Sequence, residues 1–231
     1  MRVDVAPRMS KEGFIEVLQQ AKSPAAAVAG ECYDEFVAAG LDPAVGLAFF
    51  EHESTYGRSG AATSSHNWGN IRPTRTGWLE RLGWHDGFYK STTTGSFLLF
   101  RDRDGEPDGS AWIRSARMWA RLISELYVQD WQLNEVRPIL VKYAPGRDRN
   151  NPGHYADVVE EAVASWAEEY PAEDEVTRLR REIAELEEQL KAKWQRLIEL
   201  VPTEARALPP SGDVRETATQ PILWTGPAGR A

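Results

Sequence analysis

Three polar-proline pairs, Ser23-Pro24, Asp42-Pro43 and Asn151-Pro152, constrain this chain more than any other feature. In each, a side-chain oxygen stands ahead of a ring that fixes φ at roughly −65° and has no N–H left to satisfy. That combination starts α-helices. Ser10 supplies a fourth cap without the proline. Together they predict helices running from Ser10 to about Lys22, over Ala25–Ala39, from Asp42-Pro43 into Glu53, and onward from Asn151-Pro152. Gly40 and Gly57 are the expected stops for two of them. Short helices of this kind must bury their apolar sides against one another, so the expected class is mainly α, α+β in detail.

The pattern changes between the caps. Gly57 to His66 (GRSGAATSSH) reads as loop. Phe88–Ser91 and Ser96–Phe100 flank Thr92–Gly95, which predicts a small β-hairpin lobe, and Asp102–Gly109 reads as a polar turn. Helical spacing returns at Trp112, Ala116, Trp119, Leu122, Ile123 and Leu126, then over Leu133–Tyr143. Pro171 closes this part, giving an expected globular domain over 8–171. Beyond it, Val176, Leu179, Ile183, Leu186, Leu190, Leu197 and Leu200 fall three and four apart, with Lys193 interrupting. That is a heptad seam, and 172–200 is expected to be a coiled-coil helix through which the chain self-associates. Residues 201–231, rich in Pro, Gly, Thr and Ala, are expected to form a loose tail.

Composition narrows the function classes. A hydrophobic fraction of 42% with nine Trp can fill a core. A net charge of −8, from 27 basic and 35 acidic residues, argues against phosphate-backbone partners, so no nucleic acid is expected. Cys32 is the only cysteine, which excludes an intrachain disulfide and a cysteine metal cluster; it reads as a small buried thiol. No run approaches the roughly 20 apolar residues of a membrane span, and Met1–Ser10 has no leader-like apolar core, so export by a cleaved leader is not expected.

Two acids, Glu51 and Glu53, end the apolar helix that contains Val45, Leu47, Ala48, Phe49 and Phe50. A carboxyl in apolar surroundings at a helix C-terminus has its pKa raised by desolvation and by the dipole's negative end, as a general acid requires. The bland alternative is that both are solvated surface charges. Two residues on a helix are about 200° apart, so both cannot face one cleft. His52-Glu53 begins a zinc-protease-like motif, but the second histidine would fall at Tyr56, so no metal is expected. No cofactor is expected either.

Glu53-Ser54-Thr55-Tyr56-Gly57-Arg58-Ser59 resembles the Glu-Ser-x-aromatic-Gly-x-Ser signature of the glucosaminidase domains of glycoside hydrolase family 73, in the lysozyme-like superfamily. His66-Asn67-Trp68-Gly69-Asn70-Ile71-Arg72 stands where that family has an Asn-rich stretch leading into Gly-Ile. Lys142-Tyr143-Ala144-Pro145 and Asp148-Arg149-Asn150-Asn151-Pro152-Gly153-His154-Tyr155 resemble its Tyr-Ala and Asp-x-x-Tyr segments, the Asn-Asn-Pro form being frequent in phage-associated members. The likeness covers roughly residues 40–168. It implies a lysozyme-like fold and cleavage of peptidoglycan strands after N-acetylglucosamine, with Glu53 as the acid and Tyr155 close to it. Muramidase or lytic transglycosylase activity on the same fold, or a non-catalytic virion or cell-wall scaffold, are the alternatives. The implied setting is the bacterial cell wall, through phage lysis or a virion.

Glycosidases usually pair their acid with a second carboxylate. Asp86, leading into the predicted hairpin, is the first candidate and Glu80 the second; the substrate's own acetamido group or a water site is the remaining possibility. Tyr56, Asn67, Trp68, Asn70 and Trp84 are the candidate substrate contacts, with Trp78 beside them. The tryptophans offer faces for sugars and the asparagines amides for acetamido groups. Each could equally be core or turn.

Overall fold

The polar caps act locally as the sequence predicts, with one exception. In the computed structural model, which describes residues 1–91, 95–145, 151–172 and 175–200, Ser10 Oγ accepts from the Gly13 N–H at 3.1 Å to open α1 (Lys11–Gln20). Asp42 Oδ1 accepts from Ala44 N at 3.1 Å ahead of α3 (Pro43–Ser54). Asn151 Oδ1 accepts from His154 N at 3.1 Å ahead of α7 (Pro152–Glu169). The exception is Ser23. Its hydroxyl accepts from Ala25 N and donates to the Tyr56 carbonyl, closing a turn, so α2 (Ala29–Ala38) begins only after a 3₁₀ turn at Ala26–Val28.

The remaining elements are a four-residue α4 (Ala62–Ser65) within the expected loop, strands β1 (Phe88–Ser91) and β2 (Gly95–Leu98), α5 (Ser110–Arg121) and α6 (Val136–Tyr143). The strands pair antiparallel, Phe88 opposite Leu98 and Ser91 opposite Gly95. The chain is therefore mainly helical with one small antiparallel sheet, as expected. The helix read through Leu126 differs. After Arg121 it widens into a π-helix over Leu122–Asp130, in which Trp131 N donates to Leu126 O, five residues back. A 3.6-residue periodicity cannot reveal that change of pitch.

Two units divide the chain, Met1–Asp174 and Glu175–Ala231. The first takes in residues ahead of the expected start at 8. Val3 is buried and exchanges backbone bonds with Asn134 and Asp42, and the Met1 amino group meets Glu160 at 3.1 Å. Its two ends meet where Met9 pairs with Pro171, at the expected closing proline. Buried on all sides, α3 runs through the centre, with Ala44, Val45, Leu47, Ala48, Phe49 and Phe50 each at most 2% exposed. Around it gather Phe14, Phe36, Trp68 and Trp119; the Phe50 and Trp68 rings stack at 3.9 Å. Cys32 is fully buried among α2's core residues.

In the second unit α8 (Glu175–Leu200) is a single helix of 26 residues. Its heptad positions Leu179, Ile183, Leu186, Leu190, Leu197 and Leu200 are 44–71% exposed. Residues 201–231, the expected tail, lie outside the described residues. Among the described residues no helix is long and apolar enough to cross a membrane.

Candidate active site

Glu53 occupies the last turn of α3, where the buried helix reaches a cleft of about 1280 Å³. The helix ends at Ser54 because Thr55 (φ 50°) and Tyr56 (φ 57°) turn left-handed. Ser54 Oγ donates to Phe50 O and accepts from Gly57 N, tying off that end. Glu53 thus projects from an apolar helix at a fixed terminus.

Two donors from distant segments hold the carboxylate. Asn70 Nδ2 donates to Oε2 at 3.0 Å and to the Glu53 carbonyl at 2.9 Å. The Tyr155 hydroxyl, from the first turn of α7, donates to Oε1 at 2.9 Å. Burial raises the Glu53 pKa above its ordinary value; the bonds from Asn70 and Tyr155 and the charge of Arg72 oppose that without cancelling it. Burial and the neighbouring Glu53 push the Tyr155 phenol well up, so it stays protonated and remains a donor. The His52 ring stacks on that of Tyr155 at 3.7 Å. Burial, then the charge of His154, keep His52 below its usual pKa.

Asn70 reaches Glu53 because its own backbone is left-handed (φ 51°) and because the turn before it is rigid. Asn67, fully buried, donates to the carbonyls of Ile71 and Leu98 and accepts from Ile71 N at 2.7 Å. The Tyr143 hydroxyl donates to the Gly69 carbonyl and accepts from Trp119 Nε1 at 3.2 Å. Gly69 lies so close to Trp119 and Tyr143 that a Cβ there would collide with both.

Of the expected site residues, Glu53, Asn70 and Tyr155 are brought together on the cleft, and Trp78 lines it. The others stand elsewhere. Trp68 is fully buried, with Nε1 bonded to Gly46 O, so its ring packs the core and offers no face to a sugar. Asn67 is a turn-builder with its amide spent on the backbone. Tyr56 packs edge-on against Phe50, and burial, then the neighbouring Glu51 carboxylate that accepts from its hydroxyl, hold the Tyr56 proton on. Trp84 lies under the guanidinium groups of Arg117 and Arg121, at 5.5 and 5.6 Å.

Neither candidate second acid lines the cleft. Asp86 takes Arg103 at 2.8 Å, Arg114 at 2.9 Å and the Arg101 N–H at 2.9 Å. Burial alone would raise its pKa, but these donors outweigh burial and hold it low. Asp86 thus joins the hairpin lobe to α5. Glu80 accepts from both the N–H and the hydroxyl of Thr74 at 2.7 Å, pinning the segment after Asn70. Asp102, expected in a turn, accepts from Ala111 N and so caps α5. Asp148 lies outside the described residues.

Sequence reasoning missed another part of the lining. The π segment supplies Leu122, Glu125, Leu126, Tyr127 and Asp130 to the cleft, followed by Trp131. Arg72, Tyr89, Phe97 and Tyr143 complete much of the lining. Tyr143 sits in a quoted motif, so its signal was present without a role; the π segment carries no comparable signal. Comparison with protein-family models, with characterised proteins and with solved structures finds no match for the chain.

Proposed function

We propose that the protein is a lysozyme-like peptidoglycan glycosidase that cleaves the β-1,4 bond after N-acetylglucosamine, with Glu53 as general acid. The observation that carries the reading is the Glu53 carboxyl itself. Burial raises its pKa, it faces a cleft of about 1280 Å³, and Tyr155 and Asn70 occupy one lone pair on each oxygen. A proton on this acid therefore takes a position that neither donor occupies. Glu53 would pass it to the glycosidic oxygen as the C1–O bond breaks. The aromatic lining from Trp78, Tyr89, Tyr127 and Trp131 suits sugar faces.

The engagement of Asp86 and Glu80 away from the cleft, and of the lining Glu125 with Arg121, supports a route needing no second acid, with Asp130 of the lining the carboxylate that would serve otherwise. The acetamido oxygen of the sugar closes on C1 as the leaving group departs, and Glu53, now a carboxylate, takes a proton from the water that opens this ring. The same observation supports a second reading, lytic transglycosylase action, in which the muramic acid 6-hydroxyl replaces water at C1. Mass spectrometry of the new ends in digested peptidoglycan tests both. Free N-acetylglucosamine ends support the first reading, anhydro-muramic ends the second, and free muramic ends would contradict both. Action would be at the bacterial wall, as a phage lysis or virion enzyme, with α8 pairing copies of the chain.

A further inference from the structure

Most arginines packed in the first unit are neutralised. Arg103 and Arg114 meet Asp86, Arg117 meets Glu35 and Arg121 meets Glu125, at 2.6–2.9 Å. Arg72, Arg75 and Lys142 differ. All three line the cleft, all are exposed, and none has an ion pair among the described residues. These three cations share the cleft lining with Glu53, Glu125 and Asp130, of which Glu125 is already paired with Arg121 at 2.6 Å.

The geometry around Arg72 is built rather than loose. Arg72 follows directly on the Asn67–Ile71 turn, and its guanidinium lies over the Phe97 ring at 5.5 Å. Two residues later Glu80 clamps Thr74 through both backbone and side chain. The segment carrying Arg72 and Arg75 is therefore fixed on either side. Arg72 is also close enough to lower the Glu53 pKa by its charge. When Glu53 is protonated, as a general acid must be, that guanidinium loses the counter-charge of Glu53.

We propose that Arg72, with Arg75 on the same segment, binds a carboxylate carried on the sugar chain, so that the cleft selects carboxylate-bearing strands over neutral N-acetylglucosamine oligomers. This rests on the glycosidase reading above. Peptidoglycan offers such a group on the lactyl ether of muramic acid or on its peptide stem; chitin-like chains offer none. Arg suits the task because its fork meets a carboxylate with two parallel bonds. The bound anion also offsets the field of Arg72 at Glu53, so the correct strand helps keep the acid protonated.

The experiment compares kcat/KM on stem-bearing strands, on strands stripped of peptide by an amidase, and on the neutral hexamer, for wild type, Arg72→Gln, Arg72→Lys and Arg75→Gln. Dissociation constants for the same three ligands are measured on Glu53→Gln, where cleavage plays no part. Wild type is expected to favour an anionic strand by at least about tenfold, a preference that shrinks with salt; Arg72→Gln removes roughly that factor and Arg72→Lys restores part of it. The amidase frees the lactyl carboxylate, which is an amide in the stem-bearing strand. A preference shown only by stripped strands therefore assigns the lactyl group, one shown only by stem-bearing strands assigns a stem carboxylate, and one shown by both assigns a site that takes either. On anionic strands the alkaline limb of kcat lies above that of kcat/KM, and the gap closes in Arg72→Gln, which a merely structural arginine would not cause. Equal kcat/KM and equal affinity for all three ligands in wild type would overturn the proposal, as would an unchanged ratio in Arg72→Gln. Failure of wild type to cut any of them contradicts the glycosidase reading instead, and the affinities then still decide the selectivity.

Discussion

Tyr155 donates a 2.9 Å hydrogen bond to Oε1 of Glu53 across 102 residues of sequence, joining the first turn of α7 to the last turn of α3. The contact is possible because α3 and α7 pack together through Phe49, whose ring lies 5.4 Å from that of Tyr155. One bond thus couples the central packing of the domain to the proton on its acid.

Tyr155→Phe keeps the ring and removes the donor. The Tyr155 bond lowers the Glu53 pKa, so its loss raises that pKa further. The alkaline limb of the pH–activity profile should move to higher pH, while the turnover number falls by roughly tenfold from the loss of orientation. Rate profiles of the two proteins over pH 4–9, roughly the range a carboxyl general acid can span, check both effects. An unshifted limb would show that the bond does not tune the acid.

Glu53 also links stability to pH. Its folded pKa is raised, so between the unfolded and folded values the native state holds more protons than the unfolded one. Stability contributed by the neutral form is complete below the unfolded pKa and is lost as pH rises through the folded pKa. Glu53→Gln, which cannot ionise, should therefore melt higher than wild type at neutral pH and nearly level with it in acid. Thermal melts at the two pH values measure this. A lower melting point for the variant at neutral pH would contradict the buried-acid account.

Much of the fold was legible because capping is local. Ser10, Asp42 and Asn151 accept from N–H groups two or three residues ahead, contacts a linear sequence can display. The Glu53 position and its choice over Glu51 followed from helix phase and from the signature after it. Tyr155 was placed near Glu53 only through resemblance, since nothing local announces a bond spanning 102 residues. Asn70 was expected to meet an acetamido group or turn the loop, whereas its amide donates to Glu53. Trp68 was misplaced because a tryptophan flanking a loop looks the same whether its ring enters the core or a cleft. Here Phe14, Phe36 and Phe50 enclose it. Asp86 attracted attention by its place before β1, whereas its three donors come from residues 101, 103 and 114.

Those donors make Asp86 a stability residue. Asp86→Ala leaves the buried Arg114 with only Glu106, at 3.3 Å, as its carboxylate partner and should cost about 2 kcal/mol, read from denaturant unfolding. Asp86→Asn, kept below its melting point, should retain wall-cleaving activity within about threefold. A loss of two or more orders of magnitude in the folded Asn variant would make Asp86 the second catalytic carboxylate after all.

The exposed heptad face of α8 predicts association of the chain with itself. Charges at two seam positions, Leu186→Asp with Leu190→Asp, should convert the species seen by sedimentation to a monomer without altering the melting of the first unit. A wild type that sediments as a monomer at all concentrations would remove α8 as an assembly element.

The central claim is that Glu53 supplies the catalytic proton, and clearing of purified bacterial walls by wild type and by folded Glu53→Gln tests it most directly. Wild type should clear the suspension, and Glu53→Gln should be slower by at least about a hundredfold. Equal clearing by the two proteins, or none by wild type, would contradict the account, the latter favouring a wall-binding scaffold.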